Sequence, residues 1–332
     1  MRILVWHVHG SWTTSFVQGG HEYLIPTLPE RGAWGGGRPA AWEWPSSAME
    51  VPANQLADTD VDLVLLQRPE ELELAARWLR RTPGRDVPAI YLEHNTPRGP
   101  AATSRHPAAD REDLLLVHVT HFNALMWDAG STPTAVVEHG VIDPGRLYTG
   151  ELAAAAAVIN EPVRRGRITG TDLLPGLAEA APIDVFGMGV AGLTEHLALP
   201  PGSADRIRPV DDLPQHELHN QLARRRVYLH TSRWTSLGLS LVEAMMLGMP
   251  VVVLDTTEAA EAVPDGVGVR STNPDRLRDG LRELIADPSA AASLGRRARQ
   301  AALRRYGLTR FLNDWDVLLR RIVPAPVPLA RS

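Results

Sequence analysis

The sequence predicts an α/β protein built as two Rossmann-like, doubly wound domains, and three observations carry that prediction. Short apolar runs alternate along the chain with segments of helical periodicity, which is the pattern of βαβ units in parallel sheets. The 332 residues are long for one α/β domain and comfortable for two of about 150. The clearest single unit, Val227–Glu261, reads strand, loop, helix, strand and loop without a break.

Composition narrows the function classes. An apolar share of 44% with 22% charged residues is ordinary for a globular chain. The net charge of −5 argues against a nucleic-acid binder. With no Cys there are no disulfides, thiolate metal sites or Cys nucleophiles, and a reducing, cytoplasmic location is expected. No apolar run approaches the roughly eighteen residues of a membrane span. No basic-then-apolar leader is expected ahead of the opening strand MRILVW. Peripheral membrane contact stays open. Every one of the 34 basic residues is Arg, so any phosphate grip must come from Arg, His or backbone.

In the central unit, Val227–His230 is a short apolar run entering a Thr/Ser-rich loop. Leu241, Ala244, Met245 and Met246 recur at helical spacing within Ser240–Leu247. Gly248-Met249-Pro250 stops the helix, and Val251–Leu254 is a strand of the buried type. The loop ahead of such a helix opens at the carboxyl end of the sheet, where ligands of α/β folds bind. The helix N-terminus offers N–H groups and a positive dipole end, suited to phosphate. Gly238 lets backbone approach closely, and Glu243, one turn in, can accept two hydrogen bonds from a ribose diol.

Glu243-Ala244-Met245 and Gly248-Met249-Pro250-Val251-Val252 resemble the nucleotide-sugar signature of GT-B glycosyltransferases of the large retaining family four. That signature begins with a further Glu eight positions earlier, where this chain has Thr235, a departure that bears on donor identity and catalytic mode. The resemblance implies two domains facing across a cleft, a nucleotide-diphosphate sugar (UDP-, GDP- or ADP-linked) as co-substrate, and no metal. Thr235, Ser236, Leu237, Gly238, Leu239, Ser240 and Glu243 would bind the donor.

Taken in order, Arg2–Trp6 is the first strand and His7–Trp12 the loop leaving it. Gly19 and Gly20 match a glycine pair that in the family faces the interdomain cleft, where a donor phosphate or an acceptor could sit against backbone, and Glu22, Tyr23, Leu24 and Leu28 suggest a helix after them. Val61–Leu66, Val87–Leu92, Leu114–Thr120 and Thr134–Val137 are strands, and Glu71–Leu79 is a helix. Thr120 reads as an N-cap. His94, in Glu93-His94-Asn95-Thr96, falls where the family places a His facing the donor sugar. His7, His9, His21 and the pair His118 and His121 lack partners at metal-ligand spacing. Trp12, Trp34, Trp42 and Trp44 suit either sugar stacking or packing. Glu138–Asp143 resembles the segment closing the family's first domain, with Gly140 supplying a turn, so the domains are expected at 1–147 and 148–310.

In the second half, Ala153–Ile159 is a strand. In the family, an Arg after it and a Lys before Gly-x-Asp grip the diphosphate. Gly170-Thr171-Asp172 matches, but Thr169 occupies the Lys position, so the cations available are Arg164, Arg165 and Arg167. A departing diphosphate gathers negative charge, and fixed cations stabilise it. Ile183–Phe186 runs into Gly187-Met188-Gly189-Val190-Ala191-Gly192. That run also has dinucleotide-fingerprint spacing, but it sits on a second strand. Within the resemblance, Gly187 and Gly189 lie near the nucleotide base. His216–Arg225 reads as a helix with His219 on its solvated face. Gly266–Val269 is a strand, Asn273–Ala286 and Ser289–Arg304 are helices, and residues 311–332 form a final helix, Phe311–Ile322, which the resemblance implies crosses back to the first domain, and a Pro-rich tail.

The resulting expectation is a retaining, metal-independent glycosyltransferase acting on a hydroxyl acceptor by a front-face mechanism, with His94, Arg165 and Arg167 at the chemistry. The rivals are a catalytically weakened nucleotide-sugar-binding or partner subunit, an NAD(P) oxidoreductase using Gly187–Gly192, and a sugar-phosphate-processing enzyme such as an epimerase.

Overall fold

The structure, a computed structural model, describes residues 1–39, 42–199 and 204–323. The turn expected at Pro200-Pro201 and the tail beyond Val323 lie outside those residues. The chain divides into two compact units, one of Met1–Gly140 with Leu308–Ser332 and the other of Val141–Gly307. These divisions fall seven and three residues before the positions 147/148 and 310/311 read from the sequence.

The first unit holds a seven-stranded sheet. Its strands are β1 (Arg2–Val5), β2 (Glu22–Thr27), β3 (Ala48–Pro52), β4 (Leu63–Leu66), β5 (Ala89–Glu93), β6 (Leu115–His118) and β7 (Thr134–Val136). Their order is β3-β2-β1-β4-β5-β6-β7, with every pairing parallel. The second unit has β8 (Leu152–Val158), β9 (Ile183–Phe186), β10 (Ile207–Val210), β11 (Arg225–His230), β12 (Val251–Leu254) and β13 (Val269–Ser271). Their order is β10-β9-β8-β11-β12-β13, again all parallel. In each sheet the order reverses once, between β1 and β4 and between β8 and β11. Ligands of doubly wound sheets bind in the crevice at the carboxyl ends of such strands.

Both faces of each sheet are buried, as parallel sheets require. Ile3 and Val5 point into one core with Trp12, Phe16, Phe311 and Trp315, whereas Leu4 and Trp6 point into the opposite core with Leu24, Leu66 and Leu79. In the second unit Val251 and Val253 pack under the Leu239–Leu247 helix, and Val252 and Leu254 pack beneath Pro274–Ala286.

The C-terminal helix, Leu308–Ile322, belongs to the first unit and buries Phe311, Trp315 and Leu319. Gly140 matters here through space rather than as a turn: a Cβ on it would lie 2.2 Å from Phe311 Cβ.

Two local expectations are corrected. Glu22–Thr27 is a strand, not a helix, because a strand buried on both faces carries a continuous apolar run that mimics helical spacing. The helix of that region is Gly10–Phe16, placed by Trp12 and Phe16 stacking on each other and edge-on to Trp315. Ala48–Pro52 adds an edge strand.

Candidate functional site: the carboxyl edges of the two sheets

In the second unit three loops leave β8, β9 and β11 side by side. Thr231 Oγ1 donates to Thr169 O at 2.8 Å. The Arg233 and Trp234 amides donate to Ile168 O at 2.9 and 3.2 Å. Gly170 permits this approach: its φ is +72°, and a Cβ there would lie 2.0 Å from Thr231 O. On the other side, the Met188 amide donates to Asn160 Oδ1 at 3.0 Å and the Glu161 amide to Met188 O at 2.7 Å. Gly187, with φ +131°, leaves room for Asn160, and Gly189, with φ +69°, for Glu161. The Arg164–Arg167 segment is therefore held between Gly187–Gly189 and the Thr231–Gly238 loop.

The three cations differ in their partners. Arg164 Nε lies 3.4 Å from Glu161 Oε2 and is exposed. Arg167 Nη1 donates to Asp172 Oδ2 at 2.9 Å, and Arg233 grips the same carboxylate at 2.5 and 3.0 Å. Burial pushes the Asp172 carboxyl up, but Arg233 and Arg167 together hold it below its ordinary range. Arg165 alone of the three is half-buried with no acidic partner among the described residues. Burial, then the neighbouring Arg164, lowers its pKa. Thr169 supplies no reach toward a ligand: it is buried, donating to Gly166 O at 3.1 Å and meeting the Thr171 hydroxyl at 3.0 Å.

The Leu239–Leu247 helix starts at Gly238 with no side chain capping it. A Cβ on Gly238 would lie 2.6 Å from His230 Cε1. Ser240 Oγ accepts from the Tyr228 hydroxyl at 2.8 Å. Thr235 is half-buried, and Ser236 and Leu237 are buried. Glu243 is buried with its Oε2 3.5 Å from His219 Nε2. His219 is thus buried beside Glu243 and not on a solvated face, because the Gln215–Arg224 helix packs against Leu239–Leu247.

In the first unit, the carboxyl ends of β1, β4 and β5 gather His9, Gln67 and His94. The His9 and His94 rings lie 3.9 Å apart and the His94 and His139 rings 6.3 Å apart. Burial lowers the pKa of His9 to about 4, of His139 to about 3, and of His94 well below the ordinary range. Glu93 is tied to the scaffold, accepting from the Asn95 amide at 2.6 Å and from His106 Nε2 at 3.0 Å.

Gly19 and Gly20 are not at this edge. They follow the Gly10–Phe16 helix and precede β2, at the amino ends of the strands, where a Cβ on Gly19 would meet Tyr23 and Leu312. The helix returns the chain across the sheet, so the glycines fall at the opposite end from His94. The tryptophans left open are partly settled: Trp12 and Trp44 are core residues, and Trp34 lies under the Arg68 guanidinium at 4.1 Å. Among the described residues no group of three or more His, Asp or Glu side chains could hold a metal ion.

Sequence reasoning missed the roles of Gln67 and His9 and the distinction of Arg165. A polar residue directly ending the apolar run Leu63–Leu66 was the available signal for Gln67.

Residues 194–301 match the glycosyl transferases group 1 family. The chain is 27% identical over 220 residues, 64% of its length, to a D-inositol 3-phosphate glycosyltransferase of Frankia alni. It is also 27% identical over 94 residues, 27% of its length, to a poly(ribitol-phosphate) alpha-N-acetylglucosaminyltransferase of Staphylococcus aureus. These matches span 48% and 19% of those curated relatives. In fold it resembles HepE of Anabaena, with a TM-score of 0.72 at 16% identity, covering 97% of this chain and 100% of that one. It also resembles sucrose-phosphate synthase of Thermosynechococcus elongatus, with a TM-score of 0.71 at 14% identity, covering 96% and 98%. The chain thus shares the two-sheet α/β fold of these glycosyltransferase-type structures, and its residues 194–301 are similar to the glycosyl transferases group 1 family.

Proposed function

We propose that this protein is a retaining glycosyltransferase that moves a sugar from a nucleotide-diphosphate donor to a hydroxyl acceptor without a metal. The observation that carries the reading is Arg165, a half-buried cation at the switch-point edge of the second unit without an acidic partner among the described residues, while Arg164 and Arg167 are paired. As the glycosidic bond breaks, negative charge grows on the leaving diphosphate. Arg165 and the N-terminus of the Leu239–Leu247 helix meet that charge with fixed dipoles and a fork of N–H donors.

Glu243 takes the ribose hydroxyls, and the backbone at Thr235–Ser240 with Gly187 and Gly189 lines the nucleotide. His94 orients the transferred sugar. A front-face path, in which the departing phosphate takes the acceptor proton, needs no protein nucleophile. HepE is described in complex with UDP and with UDP-glucose, so uridine nucleotides head the panel, followed by guanosine and adenosine nucleotides. A cytoplasmic site of action fits this co-substrate, and no described helix is long and apolar enough to cross a membrane.

The test is to incubate the protein with nucleotide sugars and polyol or glycan acceptors, measuring nucleoside diphosphate release and the anomer of the product by NMR. Transfer with the donor's anomeric configuration kept supports the reading; an inverted product refutes the retaining mechanism. Thr169, turned into its own loop where the family places a Lys, favours a second reading as a nucleotide-sugar-binding subunit. Donor binding with no release on any acceptor would select it.

A further inference from the structure

Gln67 is buried at the end of β4, and its Nε2 donates to Trp6 O at 2.8 Å. A backbone carbonyl only accepts, so the amide has one orientation, with Oε1 toward His94 Nε2 at 3.0 Å. That oxygen carries no proton, so the shared hydrogen sits on His94 Nε2. A neutral imidazole protonated there keeps its lone pair on Nδ1, and no described residue donates to that atom.

Gln67 is itself locked. Its backbone N–H donates to Glu71 Oε2 at 2.6 Å, and the other oxygen of that fully buried carboxylate accepts from Arg68 Nε at 2.7 Å. The titratable groups facing His94 are the rings of His9 and His139, with Arg68 near His9 and Arg310 near His139. None is an anion, and burial followed by His9 and His139 disfavours a charge on His94. A Glu at position 67 would stabilise the imidazolium; Gln selects a tautomer without adding charge.

We infer that Gln67 is a positioning residue that fixes His94 as the Nε2–H tautomer and leaves Nδ1 to accept a hydrogen bond from a sugar hydroxyl. This rests on the donor-facing role proposed for His94. The chemical consequence is selectivity: the sugar group meeting His94 must bring the proton.

The experiment is NMR of the full chain labelled with 13C and 15N in histidine, with His94 assigned by its loss in His94→Gln. The expected result is an Nε2–H tautomer at His94, unchanged between about pH 5.5 and 8. In Gln67→Met, of similar length, the tautomer should shift toward Nδ1–H. The KM for the sugar nucleotide should rise roughly tenfold, one hydrogen bond's worth, with nucleoside diphosphate affinity unmoved. Gln67→Glu, which keeps a bond to Nε2, should keep the tautomer while raising the His94 pKa; it also stands in if Gln67→Met fails to fold. An Nδ1–H or charged His94 in the unmutated protein, or an unmoved tautomer in Gln67→Met, overturns the assignment. A tautomer shift with KM unchanged supports the positioning by Gln67 and overturns the sugar contact.

Discussion

The Thr231 hydroxyl donates to the Thr169 carbonyl at 2.8 Å, joining the loop that leaves β11 to the loop that leaves β8 across the reversal point of the second sheet. Both residues are buried. Thr231→Val keeps the shape and deletes the donor, leaving a desolvated carbonyl without this partner. A loss of about 1–3 kcal/mol in stability is expected, together with a raised donor KM. Urea unfolding monitored by circular dichroism, with donor titrations on the same samples, checks both; unchanged stability would show that the loops are held by their backbone bonds alone.

Acid should weaken this protein through its buried histidines. Burial lowers His9, His118 and His230 to about 4 and His139 to about 3, from an ordinary 6.5. Between 6.5 and those values the unfolded chain binds protons that the folded chain refuses. Stability is therefore full above about pH 6.5 and falls as pH drops toward 4. The slope is about 1.4 kcal/mol per pH unit for each such group. His118 is the sharpest case, fully buried with neither ring nitrogen hydrogen-bonded. His118→Leu should flatten the slope and give a higher unfolding midpoint than the unmutated protein at pH 5. Parallel midpoints from pH 7 to pH 5 would contradict the assignment.

The Leu308–Ile322 helix completes the core of the first unit. Trp315, 1% exposed, stands edge-on to Trp12 and Phe16. Trp315→Ala is expected to cost about 3–5 kcal/mol. Heat or denaturant should then unfold the first unit ahead of the second, seen as a split transition. A single unshifted transition would show that the helix is dispensable.

Legibility in the sequence followed the range of the interactions involved. The Leu239–Leu247 helix and β12 were readable because period, stop residues and strand composition are local, and Gly248 takes the left-handed conformation that ends the helix. Thr120 caps the His121–Met126 helix as its position suggests. Glu22–Thr27 was misread because its continuous apolar run, with Leu28 beyond it, also fits helical spacing, and only pairing with β1 and β3 decides between them. Gly10–Phe16 has no side-chain cap and forms through tertiary contacts of Trp12 and Phe16. At the site, the three arginines looked equivalent because Arg233, which shares Asp172 with Arg167, lies 61 positions from that aspartate. His219 beside Glu243 and Gln67 beside His94 are likewise meetings that only the folded chain makes.

In the proposed function Arg165 holds the donor diphosphate. Isothermal titration of UDP, or of whichever nucleoside diphosphate binds, into the unmutated protein and into Arg164→Ala, Arg165→Ala and Arg167→Ala tests it most directly. Arg165→Ala is expected to weaken binding roughly 10- to 100-fold, the loss of a charge-assisted contact, with the other two within about threefold of the unmutated protein. Equal binding by Arg165→Ala, or a larger loss in Arg164→Ala or Arg167→Ala, would contradict it.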